Sequence, residues 1–184
     1  AGTGPAEQDA DLNMSDTSPT EAARKRPGKV KSRTYKELWN RPGYLVRRLH
    51  QIHLGLFMEE CRGEDLTPVQ SAILTVLRNG EEMDQLTLST SVGIDRTSGA
   101  DVIRRLERRG LISREEAQLD RRAKIVRITD EGRACINRLQ PSVVRAQDRL
   151  VAPLTEEERQ EFQRLLNIMI SENNDAGRAP MGTA

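Results

Sequence analysis

The most restrictive feature of this chain is a change of period in its middle. From about Asp84 to Val92 the residues suit a short helix, Gly93 breaks it, and Asp95 can cap a second helix ending at Gly110. The repeat then shortens to two. Leu111–Glu116 and Lys124–Ile128 read as strands joined by a polar loop, Ala117–Ala123. Two helices across a glycine turn, followed by a hairpin, leave few folds open. The outline is a helix-turn-helix carrying a wing. The second helix divides cleanly into faces. Gly99, Val102, Ile103 and Leu106 recur at i, i+3, i+4 and i+7, while Thr97, Asp101, Arg104, Arg105 and Arg108 share the other side.

Helices flank this unit. After Arg41-Pro42-Gly43, one apolar stripe runs through Leu45, Leu49, Ile52 and Leu56, and a second runs through Val46, His50, His53 and Phe57. Such a helix must be covered on two sides. Thr67-Pro68-Val69-Gln70 combines an N-cap, a proline in the first turn and a capping Gln, and opens a helix that stops at Asn79-Gly80. Thr129 can cap a further helix with Ile136, Leu139, Val143, Ala146 and Leu150 in a heptad seam, ended by Pro153. Thr155 and Glu158 make a capping box for a last helix with Phe162, Leu165, Leu166 and Met169 on one face. Residues 1–33 and 173–184 have loop composition and are expected to be a flexible arm and a disordered tail. Met14 offers a second start, so residues 1–13 are expected to be an addition to the native chain. Between the tails, 34–65 reads as an N-terminal helical segment, 66–128 as the winged unit and 129–172 as C-terminal helices.

Only 36% of residues are apolar and 31% are charged, which suits a thin helical protein that gains core by oligomerising. No run of 18 apolar residues is present, and no secretory leader opens the chain, so neither a membrane span nor export is expected. Two cysteines, Cys61 and Cys135, are too few for a disulfide scaffold, and a reducing cytoplasm is the expected location.

A net charge of +1 conceals strong segregation: residues 24–48 carry ten bases and one acid, and 94–128 carry ten bases and six acids, whereas 59–94 carry two bases and seven acids. Basic islands of this kind are either solvated faces or nucleic-acid contacts. On the second helix, Arg can read guanine edges and hold phosphates, and Arg96 and Ser98 lie in the first turn, the part of a recognition helix that meets base edges. The helix N-terminus itself favours a phosphate. At the hairpin tip Arg121 and Arg122, followed by Lys124, can reach a neighbouring minor groove, with Asp120 as a brace.

The segments "LTPVQSAILTVL", "VGIDRTSGADVIRRLERRGLI" and "LDRRAKIVRITDEGRACI" resemble the MarR family of transcriptional regulators, over about Arg41 to Ser171. The resemblance implies a mostly α (α+β) winged helix-turn-helix with N- and C-terminal dimerisation helices, assembled as a homodimer on double-stranded DNA. By position it assigns Arg96, Thr97, Ser98, Asp101, Arg104 and Arg105 to the major groove and backbone, and Arg122, with Arg121, to the wing tip. A two-fold dimer reads an inverted repeat with half-sites about 10 bp apart. The family further implies a repressor released from its operator by a small effector.

Four of the five aromatic residues lie between Tyr35 and Phe57. Trp39, Tyr44, Arg47, His50, His53 and Phe57 together suit an aromatic carboxylate, though Tyr44, Phe57 and the histidines can equally be core or interface. "RPGYLVRRLHQIHLGLF" is similar to MarR regulators of aromatic-acid degradation, which implies a free aromatic acid or its coenzyme A thioester as effector. The arm Arg24–Lys36 can meet thioester phosphates or DNA. Redox sensing through Cys61 is the alternative: Arg62 would lower its pKa, and Glu59, Glu60, Glu64 and Asp65 would raise it. His50 and His53 are spaced for a metal but lack a third ligand, so no metal site is expected. No phosphate loop, nucleophile elbow or Cys–His pairing is present, so neither catalysis nor a cofactor is expected. A sequence-tolerant architectural DNA-binding protein is the remaining reading.

Overall fold

A computed structural model describes residues 1–2, 35–79, 82–116, 124–177 and 179–180. The expected arm and the wing loop with Arg121 and Arg122 therefore lie outside the described residues. The elements run α1 (Lys36–Trp39), α2 (Pro42–Glu60), α3 (Pro68–Arg78), β1 (Met83–Asp84), α4 (Gln85–Ser91), α5 (Arg96–Arg108), β2 (Ile112–Glu116), β3 (Lys124–Ile128), α6 (Asp130–Val151) and α7 (Glu156–Glu172).

Local chemistry sets most boundaries. The Thr67 hydroxyl accepts from the Gln70 amide while the Gln70 side chain accepts from the Thr67 amide, so α3 begins on a complete capping box. Thr155 and Glu158 do the same for α7, and Thr129 caps α6. Asp84 caps α4 and Asp95 caps α5. Helix α5 closes on Gly110, whose φ of +71° suits glycine. There the Leu111 amide donates to Leu106 and the Gly110 amide to Glu107, leaving no frayed end before β2.

The sheet is antiparallel in the order β1-β3-β2, with Ile112 opposite Ile128, Glu116 opposite Lys124 and Met83 opposite Val126. Strand β1 has two residues and no period to betray it, so the sequence pattern indicates only the short helix from about Asp84. Ile73, Leu74, Leu77, Leu88, Ile103 and Leu106 are fully buried and make the centre of the core. Ile112 and Val126 cover it from the sheet, and Phe57 and Ile136 from α2 and α6.

The heptad seam of α6 differs from expectation. Ile136, Leu139 and Ala146 are buried within this chain, where α6 packs along α2 and α3, so most of that seam is spent on the chain's own core. Helix α7 behaves oppositely and buries no residue. Pro141 lies inside α6 on its exposed side and withholds an N–H from the carbonyl of Asn137, a loss that water can make good there. In the expected tail, Asn174–Ala176 form a short 3-10 turn.

Candidate functional site

Two features stand out, on different sides of the same core. The first is the outward face of α5. Gly99, Ile103 and Leu106 are buried, and Arg96, Thr97, Ser98, Asp101, Arg104 and Arg105 are all exposed, as the period predicts. Asp101 and Arg104 pair at 3.1 Å along the helix. Among the described residues, Arg96, Arg105 and Arg108 have no ion pair, because the acids around them are committed: Asp95 to the cap, Asp101 to Arg104 and Glu107 to Arg114 of the wing. The outward face is therefore left with unneutralised guanidinium groups.

The start of α5 corrects one expectation. The Asp95 carboxylate accepts from the amides of Thr97 and Ser98 at 3.0 and 3.1 Å, and from the Ser98 hydroxyl at 2.6 Å. An incoming phosphate finds these N–H groups taken by a carboxylate that the Ser98 hydroxyl and amide hold below its usual pKa range. Ser98, its proton spent, offers only lone pairs outward. Phosphates near α5 must be held by its arginines.

Charged contacts fix the wing and the far end of α5. Arg114 of β2 bonds Glu107 of α5, and Arg127 of β3 lies between Glu82 and Glu115. Lys124 is exposed at the start of β3. Arg109 spreads its guanidinium across two successive carbonyls of the α2–α3 turn, Asp65 at 2.6 Å and Glu64 at 2.8 Å. The Glu64 carboxylate is in turn held by Arg138 of α6 at 2.8 Å. The contacts of Arg109 and Arg138 span 44 residues and more, and no local pattern announces them.

The second feature is a cleft of about 380 Å³ between α2, α3, α4 and α6. Phe57, Ala72, Val76, Val92 and Val143 give it apolar walls. Ser71, Thr75, Ser91 and the His53–Gln147 pair supply polar atoms. Only two of the six residues expected around an effector line it. Phe57 is 2% exposed, and His53 meets Gln147, Nε2 to Nε2, at 3.3 Å. Burial and the neighbouring charge of His50, 6.3 Å away between ring centres, hold His53 below the usual imidazole range.

The other four residues are elsewhere. Trp39 stacks on Tyr35 at 6.3 Å, Arg47 covers the Tyr44 ring at 5.4 Å, and His50 is exposed. At 1.5 Å per residue, Tyr44 and Phe57 stand about 20 Å apart along α2, too far for one small ligand. Within one chain these four are near His53 and Phe57 in sequence but do not line the cleft. Two lining residues that the sequence reading did not single out are Ser71, which is buried, and Thr75, one turn further along α3. That small polar stripe was a legible signal.

Other chemistries find little support. Cys61 and Cys135 are both buried. Burial first, then the Glu60 charge, pushes the Cys61 thiol up, and Cys135 is pushed up to about 11. A thiol kept protonated is a poor peroxide sensor. Among the described residues no group of His, Cys, Asp or Glu could hold a metal, and no helix is long and apolar enough to cross a membrane.

Residues 66–124 match the MarR family. The chain is 35% identical to the PcaV transcriptional regulator of Streptomyces coelicolor, solved with its natural ligand, with 73% of this chain and 94% of that one covered and a TM-score of 0.69. It is 27% identical to BpsR of Bordetella bronchiseptica, whose DNA binding is regulated by 6-hydroxynicotinic acid, over 71% and 94% of the two chains with a TM-score of 0.68. It is 30% identical to the homoprotocatechuate degradative operon repressor of Escherichia coli, over 66% of this chain and 82% of that protein. The helix-turn-helix, its paired wing strands and these likenesses over most of the chain agree, and the chain belongs to the MarR family.

Proposed function

We propose that this protein is a ligand-responsive, DNA-binding transcriptional regulator. Its homodimer represses from an inverted-repeat operator in the cytoplasm and is released by an aromatic acid or its coenzyme A thioester. The observation that carries the reading is the outward face of α5, where Arg96, Arg105 and Arg108 stand unpaired on a helix anchored by its buried face. In this reading Arg96, Thr97, Ser98, Asp101 and Arg104 meet the major groove, Arg105 and Lys124 hold backbone, and Arg121 and Arg122 enter the minor groove.

Helix α2, with residues 34–65, and helices α6 and α7, with 129–172, form the dimer. The cleft at His53 and Phe57 takes the aromatic ring. Tyr44, Arg47 and His50, and Trp39 of α1, reach an effector only if the second copy brings them to it. PcaV with its natural ligand, and BpsR with 6-hydroxynicotinic acid, support this class of effector. Ligand in the cleft shifts α2 and α6 against α4, and through Arg109 and the α2–α3 turn it re-aims α5. Linkage then requires that operator DNA weaken ligand binding by the same factor.

Fluorescence anisotropy with the upstream DNA and with scrambled DNA, across a salt series, tests the reading. Tight, sequence-preferring binding released by an aromatic acid or thioester is expected. Equal binding to both DNAs points instead to an architectural protein, and no binding overturns both.

A further inference from the structure

Another cavity, of about 390 Å³, lies where the α2–α3 turn and the start of α3 meet the end of α5. Asp65, Thr67, Gln70, Arg105, Arg108 and Arg109 line it, and it shares no residue with the cleft at His53 and Phe57. All six are polar or charged, which suits a polar ligand and not an aromatic ring.

The capping box of α3 leaves its spare donors here. Gln70 is 7% exposed, and its side-chain carbonyl is spent on the Thr67 amide at 2.9 Å, so its NH2 group remains to be given. The Thr67 hydroxyl accepts from the Gln70 amide at 3.2 Å and keeps its own proton for another acceptor. Arg109 is fixed on the Asp65 and Glu64 carbonyls. With Arg105 and Arg108 it brings guanidinium groups to one cavity, and among the described residues none of them is in an ion pair. Several donors and uncompensated positive charge around one space fit a phosphate group.

Asp65 narrows the ligand further. Its carboxylate is exposed and without an ion pair among the described residues, at a left-handed backbone position with φ of +47°. A continuous polyanion such as a DNA backbone would press negative charge against it. A small phosphate ester can turn its phosphate to the arginines and give Asp65 a hydroxyl or amino proton.

We propose that this cavity is a second ligand site, for a small phosphate ester that also carries a hydroxyl or amino group. Arg105 and Arg108 hold the phosphate with Gln70 and Thr67, Arg109 adds its fixed charge, and Asp65 accepts from the other end of the ligand. Arg105 also belongs to the outward face of α5. An occupant therefore draws on a guanidinium that the proposed function gives to the DNA backbone.

Isothermal titration of the full chain at fixed ionic strength with ribose 5-phosphate, inorganic phosphate and ribose tests this. Ribose 5-phosphate is expected to bind about tenfold more tightly than inorganic phosphate, one charge-assisted hydrogen bond's worth, and ribose to give no binding heat. Arg108→Gln should weaken both phosphate probes about tenfold. Asn tolerates a left-handed backbone, so Asp65→Asn should keep the turn and shrink the advantage of ribose 5-phosphate to about threefold or less. Arg48→Gln removes the same charge from α2, outside the cavity, and should leave both affinities unchanged, with thermal melts confirming each fold. Absent binding of ribose 5-phosphate, equal binding of the two phosphate probes, equal losses in Arg108→Gln and Arg48→Gln, or an advantage that survives Asp65→Asn each overturns the inference. Neither DNA nor an aromatic acid enters the titration, so the regulator reading stands or falls separately.

Discussion

Arg104 and Arg105 are sequence neighbours with different electrostatic surroundings. Arg104 is steadied by Asp101 at 3.1 Å, whereas Arg105 has no acid partner among the described residues. A guanidinium held in one orientation suits a base edge, and a free one suits a phosphate. Arg105→Ala should therefore weaken operator and scrambled DNA about equally and flatten the log affinity–log salt slope by about 0.9 per lost phosphate contact. Arg104→Ala should cost the operator more than scrambled DNA. Anisotropy titrations of both variants check this, and a uniform loss for both would remove the distinction.

His53 carries a second residue-level prediction. Its pKa is lowered by burial and by His50, so the folded chain binds fewer protons there than the unfolded chain. Stability contributed by this group is present above the unfolded value of 6.5 and is lost as pH falls below it. Gln147 of α6 also faces the ring and does not titrate. Urea midpoints taken from about pH 7 to about pH 5 should fall more steeply for the wild type than for His53→Gln. Parallel profiles would show that His53 is not a source of the acid sensitivity. What a helical period can tell is which face a residue occupies, and Thr97 to Arg105 were legible for that reason. Which acid each arginine meets depends on side chains from other elements, as Glu107 with Arg114 and the Asp65 carbonyl with Arg109 show.

At the scale of elements, the helix-turn-helix depends on how closely α4 and α5 cross. A Cβ added at Gly99 would lie 2.0 Å from Ser89 Oγ and 2.7 Å from Ser89 Cβ. Ser89 is 1% exposed and its hydroxyl is bonded to the Gln85 carbonyl, so it has nowhere to go. Gly99→Ala should destabilise by about 1–3 kcal/mol through overpacking, despite alanine's better helix propensity. Ser89→Ala added to it removes the shorter contact and leaves the 2.7 Å one, so urea unfolding should show only partial recovery. An unchanged midpoint for Gly99→Ala would mean the helices separate freely. Capped starts were the most legible part of the fold, since Thr67, Asp95, Thr129 and Thr155 each act within a few residues. Strand β1 and the internal use of the α6 seam were not legible, because both depend on partners distant in sequence.

For the whole molecule, the unresolved balance is apolar surface. Helix α7 has 17 residues and buries none of them, while Leu165, Ile168, Met169 and Ile170 are each at least 45% exposed. A helix of this length is marginal alone in water, and its capping box adds only about 1 kcal/mol. Leu45, Val46, Ile52 and Met58 of α2 are likewise about half exposed. In the proposed homodimer two such surfaces cover each other across a two-fold axis, where the same patch serves both copies. Leu165→Glu with Ile168→Glu should reduce the sedimenting mass from twice 20.7 kDa to the single-chain value. Helicity should fall as α7 loses the cover of the proposed partner copy, and affinity for an inverted repeat should drop to that for a half-site, because two recognition helices no longer bind as one. A wild-type chain that sediments at 20.7 kDa with α7 intact would refute the dimer, and with it the reason for an inverted-repeat operator.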